Sequence, residues 1–150
     1  MSTTEPVDAL ETADAYPKYN DYEGSGVDWL SDIPSRWTVA KLKYCIESLV
    51  SGATPKSTED EYWASDEEEG VPWAAVGDMS ETSSVDDTEK RVTKEGIDEA
   101  DLETLPKGTL LYSIYASLGE VAVLGIPATT NQAILGITPD GDLISRDFLY

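Results

Sequence analysis

GTLLYSIYASLGEVAVLG, residues 108–125, divides into two extended runs, Thr109 to Tyr115 and Glu120 to Ile126, joined by Ala116, Ser117, Leu118 and Gly119. Two such runs with a short glycine-containing link predict a β-hairpin. Leu110, Tyr112 and Ile114 alternate onto one face of the first run, and Val121 and Val123 share one face of the second. Leu111 and Leu124 make the opposite faces apolar as well. Strands apolar on both faces belong inside a domain. A third apolar run, Ala133 to Thr138, stops at Pro139, Asp140 and Gly141, so the last third of the chain is predicted to supply the centre of the core.

Upstream, Trp37 to Leu42 and Val71 to Val76 are predicted strands, the first running into a short helical stretch around Tyr44 to Ser48. Thr93 to Ala100 is the other helix expected in the middle, weakened by Gly96. At the end, Ser145 suits an N-cap and Asp147 the first turn, and Phe148, Leu149 and Tyr150 begin an apolar face, so a helix is expected to start there and stop short. The class expected is α+β: a single domain over residues 16–150 with a mainly β core, short helices and a truncated C-terminal helix. An acidic disordered tail is expected over residues 1–15.

The 150 residues, 40% hydrophobic, are enough for one core, burying roughly 70% of the surface of the unfolded chain. Thirty Asp and Glu against ten Lys and Arg leave a formal charge of −20. That excludes a basic nucleic-acid binder of the ordinary kind. Seven acids and no base fall in Ser57 to Gly70, and nine acids with three bases in Glu81 to Glu103, whereas Gly108 to Ile137 carries only Glu120. The absence of histidine excludes His triads and His metal ligands, and the single cysteine, Cys45, excludes an internal disulfide framework. Cys45 reads as a small buried hydrophobe in a cytosolic protein. The start of the chain is acidic without bases, the reverse of a targeting signal. The uncharged run Val121 to Pro139 contains Pro127, Asn131 and Gln132, so no membrane span is expected.

Several chemistries have no seat. No glycine precedes a lysine, as a phosphate-binding P-loop requires. No Glu or Asp stands two residues before any lysine, and neither Asn-Pro-Pro nor Gly-x-Gly-x-x-Gly occurs. No cofactor is implied. Carboxylates are so abundant that an acid and base pair carries no specificity, and Asp66 to Glu69 reads as a solvated loop with a divalent-cation site as its alternative. Tyr16, Tyr19, Tyr22, Trp29 and Trp37 crowd the start, interleaved with Pro17, Gly24, Gly26 and Pro34. They are expected to pin an irregular N-terminal arm, with stacking on bases as the alternative.

YPKYNDYEGSGVDWLSDIPSRWTVAKLKY (16–44), VSGATPKS (50–57), VPWAAVGDM (71–79), GTLLYSIYASLGEVAVLG (108–125) and TNQAILGI (130–137) together resemble, in order, the specificity subunit of type I restriction–modification enzymes. In VSGATPKS, Ala53 replaces the second glycine of the family's Gly-Gly-Thr-Pro turn. The resemblance implies a non-catalytic target recognition domain that reads one half of a split sequence in double-stranded DNA. It also implies two methyltransferase subunits and a motor-nuclease restriction subunit as partners, reached through spacer helices and a second domain that these residues do not match.

A −20 chain repels phosphate. A salt-rich cytoplasm reconciles the charge with DNA reading, because the Debye length shrinks to about 3 Å at 1 M. The candidate DNA-contacting residues are Lys56 and Ser57 after the Gly52 to Pro55 turn, Lys90 and Arg91 in an acidic stretch, Tyr115 and Ser117 at the hairpin tip, and Asn131 and Gln132. Arg91 suits guanine and the two amides suit adenine. The competing readings are that Lys90 and Arg91 neutralise Asp86, Asp87 and Glu89, and that the amides satisfy backbone groups. Trp63 and Trp73 read as core or as pinning the arm. An acidic DNA mimic that occupies a restriction enzyme is the alternative function, and a carboxylate enzyme rests on composition alone.

Overall fold

The Gly108 to Gly125 hairpin forms at the heart of a five-stranded sheet in the computed structural model, which describes residues 18–65, 69–115 and 119–150. The expected tail over residues 1–15, most of the Asp66 to Glu69 loop, and Ser117 lie outside the described residues. The strands are β1 (Tyr22–Val27), β2 (Leu30–Pro34), β3 (Ile46–Ser51), β4 (Val71–Ala74), β5 (Ser84–Val85), β6 (Lys90–Val92), β7 (Leu110–Ser113), β8 (Val121–Leu124), β9 (Thr129–Thr130) and β10 (Ile134–Pro139). Among the described residues the α-helices are α1 (Val76–Met79), α2 (Lys94–Ala100) and α3 (Arg146–Leu149), each short, with 3-10 turns at Leu42–Tyr44 and Asp60–Tyr62. The class is α+β with a mainly β core. The chain divides into two compact units, Met1–Lys41 and Leu42–Tyr150.

In the first unit, β1 and β2 pair antiparallel and turn at Asp28 and Trp29. The Ser25 hydroxyl closes the turn by accepting from the Val27 amide at 3.1 Å and donating to the Leu30 carbonyl. The sequence reading of an irregular arm is corrected here: the segment is a hairpin. Tyr19 meets Tyr22 and Trp37 edge-on at 6.4 and 5.8 Å, so these rings hold the unit to itself.

The second unit contains two sheets. One has the order β3-β10-β7-β8-β5, antiparallel except where β5 joins β8 in parallel, and the other has the order β6-β4-β9. Leu110 pairs with Val123 and Tyr112 with Val121, so the alternation read from sequence is kept in register. Ser113 closes the tip: its amide donates to the Glu120 carbonyl at 2.9 Å, and its hydroxyl accepts from the Glu120 amide at 3.2 Å. Leu111, Leu124, Ile134, Met79 and Val85 form the main core with Leu105 and Ala128. Full burial of such a side chain stabilises by about 1.5–3 kcal/mol. Trp73, Val92 and Leu102 form a second cluster, with Trp63 and Ile97 packed against it.

Two expectations are corrected. Trp37 to Lys41 contains no strand, and the strand instead covers Ile46–Ser51, where a helical stretch was expected. A strand persists only where a neighbour satisfies its backbone, and β10 offers that edge to Ile46 to Ser51. Ile46, Ser48 and Val50 then turn inward while Glu47, Leu49 and Ser51 face out. The second correction concerns Gly96, which supports α2 rather than weakening it. A β-carbon there would stand 2.5 Å from the Tyr62 carbonyl oxygen and 2.6 Å from Val92. Only glycine lets α2 pack this closely. The Ser145 cap forms as read, its hydroxyl accepting from the Phe148 amide at 3.1 Å, and Thr93 caps α2 in the same way, accepting from the Gly96 amide at 3.2 Å.

Candidate functional site

The Gly52 to Pro55 turn, β4 and the β9–β10 connection are far apart in sequence and meet in space. The Ala53 amide donates to the Thr130 carbonyl at 3.0 Å, and the Trp73 indole donates to the Ala53 carbonyl at 3.0 Å. Gly52 lies so close to the Thr130 and Asn131 backbone that any side chain would overlap it. Asn131 caps its own turn, its side-chain oxygen accepting from the Ala133 amide at 3.0 Å, while Gln132 accepts from the Thr54 hydroxyl. Both amides are thus engaged in holding this junction.

From the junction β4 extends to β6, with Trp73 opposite Lys90, Pro72 opposite Arg91 and Val71 opposite Val92. On its other side β6 is flanked by Trp63 and Ala64, through the pair Trp63 and Val92 and the bond from the Ala64 amide to the Arg91 carbonyl at 3.0 Å. Residues directly opposite in a sheet share a face. Trp73, Val92, Trp63 and Lys90 therefore stand on one face, and Arg91, one residue out of phase, on the other. Asp78 fixes the approach to β6: one carboxylate oxygen accepts from the Ala75 amide at 2.8 Å and the other from the Glu89 amide at 3.0 Å.

A shallow cleft of about 250 Å³ opens over this strand, lined by Ser57, Asp60, Trp63, Ala64, Glu89, Lys90 and Arg91. Trp63 forms its floor. It meets Trp73 edge-on at 5.0 Å, and its indole nitrogen donates to the Lys56 carbonyl at 3.2 Å. The Lys90 ammonium lies 5.3 Å from the Trp63 ring centroid. A cation over an indole face is attracted by the ring quadrupole. The Tyr62 hydroxyl is held above its ordinary range by partial burial and then by Glu61 and Glu99, so it stays neutral.

The cations differ in commitment. Arg91 donates to Asp87 at 2.9 Å and to the Gly70 carbonyl at 3.5 Å, and only 19% of its side chain is exposed. Lys56 lies 3.8 Å from Glu99 with its side chain 67% exposed. Lys90 makes no ion pair among the described residues. Ser57, Lys90 and Arg91 are thus brought together in one cleft with Lys56 next in sequence, whereas Asn131 and Gln132 are bonded within the junction and do not line the cleft. Tyr115 lies past the end of β7, exposed and outside the cleft lining. Sequence reasoning missed Asp60 and Glu89 as cleft residues and took Trp63 as mere packing. The spacing of Trp63 and Lys90 carries no local signal of their contact. Among the described residues no His, Cys, Asp and Glu group is arranged to hold a metal ion, and no helix is long and apolar enough to cross a membrane.

Residues 34–150 match the family model described as the type I restriction modification DNA specificity domain. A specificity subunit of the type I restriction enzyme MjaIX from Methanocaldococcus jannaschii is 33% identical over 123 residues, 81% of this chain and 27% of that protein. The HindI specificity subunit from Haemophilus influenzae is 28% identical over 154 residues, 100% of this chain and 32% of that protein. Among solved structures, the HsdS subunit from Thermoanaerobacter tengcongensis has a similar fold, with TM-score 0.61 and 18% identity, covering 85% of this chain and 28% of that one. The chain spans about a third or less of each of these relatives. None of them supports the alternative of a DNA mimic.

Proposed function

Because the chain belongs to the type I restriction modification DNA specificity domain family, we propose that it reads one half of a bipartite sequence in double-stranded DNA. It does so as a non-catalytic component for methyltransferase and restriction subunits in the cytoplasm. The observation that carries this reading is the family match over residues 34–150. The geometry supports it with a junction, held by the Ala53–Thr130 and Trp73–Ala53 hydrogen bonds, beside a cleft of charged and aromatic side chains. In this reading Lys56, Ser57, Lys90, Tyr115 and Ser117 are the DNA-facing set. Arg91, Asn131 and Gln132 hold the frame, since each is already engaged with neighbouring groups.

The charge of −20 supports a salt-rich working environment for this reader. Counterion release contributes little there, because affinity falls as roughly the 0.9 power of salt for each phosphate contacted. Contacts to base edges and fit to the groove then have to supply the selectivity. A domain exchange tests the function. With this chain in place of the first recognition domain of a related specificity subunit, sequencing of methylated sites is expected to show one half of the target replaced and the other retained. An unchanged target would rule the reading out.

A further inference from the structure

We infer that the cleft above Trp63 reads a guanine–cytosine base pair from the major-groove edge, with Lys90 as the residue that specifies guanine. The inference rests on the DNA-reading function and names the part of the duplex this cleft takes. A phosphate site would be lined by cations. This cleft instead sets Lys90, which makes no ion pair among the described residues, and Arg91, already paired with Asp87, beside two exposed carboxylates, Asp60 and Glu89. Neither carboxylate is paired with a cation among the described residues.

Such a mixture repels a uniformly anionic backbone and suits a surface that alternates acceptors with donors. In the major groove a guanine presents two acceptors, N7 and O6, and its cytosine presents a donor, the N4 amino group. An ammonium can donate to the first pair, and a carboxylate can accept from the second. No other base pair offers two purine acceptors beside a pyrimidine amine: adenine replaces O6 by an amino donor, and thymine offers an acceptor and a methyl group.

Lys90 is also placed in advance. The ring of Trp63 lies beneath its ammonium, Trp63 is fixed through Trp73 and the Lys56 carbonyl, and Asp78 holds the backbone at Glu89. The ring contact favours this placement of the ammonium before any duplex arrives. Arg91, next in sequence, is on the other face of β6 and tied to Asp87, so the two adjacent cations have separate tasks.

The test uses a complete specificity subunit bearing this chain as a recognition domain, assembled with methyltransferase subunits and presented with randomised duplexes. Methylated products are sequenced. The unaltered protein is expected to select G·C at one position that Lys90→Ala releases, with discrimination there falling roughly tenfold or more and the other positions retained. Lys90→Arg should keep the guanine preference, and Asp60→Asn or Glu89→Gln should weaken the choice at that same position. Lys90 is exposed, so loss of folding does not confound the substitution. A Lys90→Ala profile equal to that of the unaltered protein overturns the inference. So does a uniform loss over all sequences with a salt slope smaller by about one, the mark of a phosphate contact. An unaltered protein that selects no sequence overturns the DNA-reading function itself, and the inference with it.

Discussion

The indole nitrogen of Trp73 donates to the Ala53 carbonyl at 3.0 Å, so that β4 and the Gly52 to Pro55 turn are joined by a side chain rather than by strand pairing. The same tryptophan pairs with Lys90 in the sheet and supports Trp63 edge-on. One residue thus connects the rigid junction to the floor of the cleft, and the displayed lysine inherits its position from that connection.

Trp73→Phe retains most of the ring and removes the donor, leaving the Ala53 carbonyl unpaired. A loss of about 1–3 kcal/mol is expected. Trp73→Ala should cost about 3–5 kcal/mol, because Trp73 is buried in the second cluster. Urea denaturation of the two variants distinguishes hydrogen bond from packing. A Trp73→Phe variant as stable as the unaltered protein would show that the bond contributes nothing, and equal losses in the two variants would show that the remaining ring packing contributes nothing.

Gly96→Ala runs against the ordinary rule for helices. Replacing glycine inside a helix by alanine usually stabilises by about 1 kcal/mol. Here the added methyl would enter the space of the Tyr62 carbonyl and Val92, and overpacking of this kind costs about 1–3 kcal/mol. Net destabilisation is expected in thermal melts. A rise in the midpoint would show that the contact between α2 and the Asp60 to Tyr62 turn relaxes freely.

Arg91→Ala should leave target sequence unchanged while lowering stability slightly. Its partner Asp87 has a side chain 68% exposed, and a pair open to solvent contributes about 0–1 kcal/mol. Methylation-site sequencing and denaturation read the two effects separately. A relaxed preference at one base position would instead make Arg91 a reader.

Salt should raise stability over a wide range. Sixteen of the thirty acids fall within Ser57 to Gly70 and Glu81 to Glu103, so folding brings many carboxylates together over one core. Their repulsion acts over about 10 Å at 0.1 M salt and about 3 Å at 1 M. The thermal midpoint, followed by circular dichroism, is expected to climb from about 0.1 M toward about 3 M KCl as this repulsion is screened. A flat or falling midpoint would count against a salt-rich environment.

The sequence by itself determined the central hairpin, the third core strand at Ala133 to Thr138, the Ser145 cap and the family. Each of these is written in neighbouring residues: alternation of apolar side chains, a cap hydroxyl three residues from the amide it accepts, and motifs in fixed order. Tertiary structure alone decided where the strand after Lys41 begins, because Ile46 to Ser51 is extended by pairing with Ile134 to Pro139. It also decided that Gly96 is a contact point, that Arg91 is committed to Asp87 and the Gly70 carbonyl, and that Lys90 stands over Trp63 beside Asp60 and Glu89. These arrangements join residues tens of positions apart, as Thr54 and Gln132 are joined across 78 positions. Local periodicity and capping act within a few residues, whereas packing between distant segments depends on how the whole chain closes around its core.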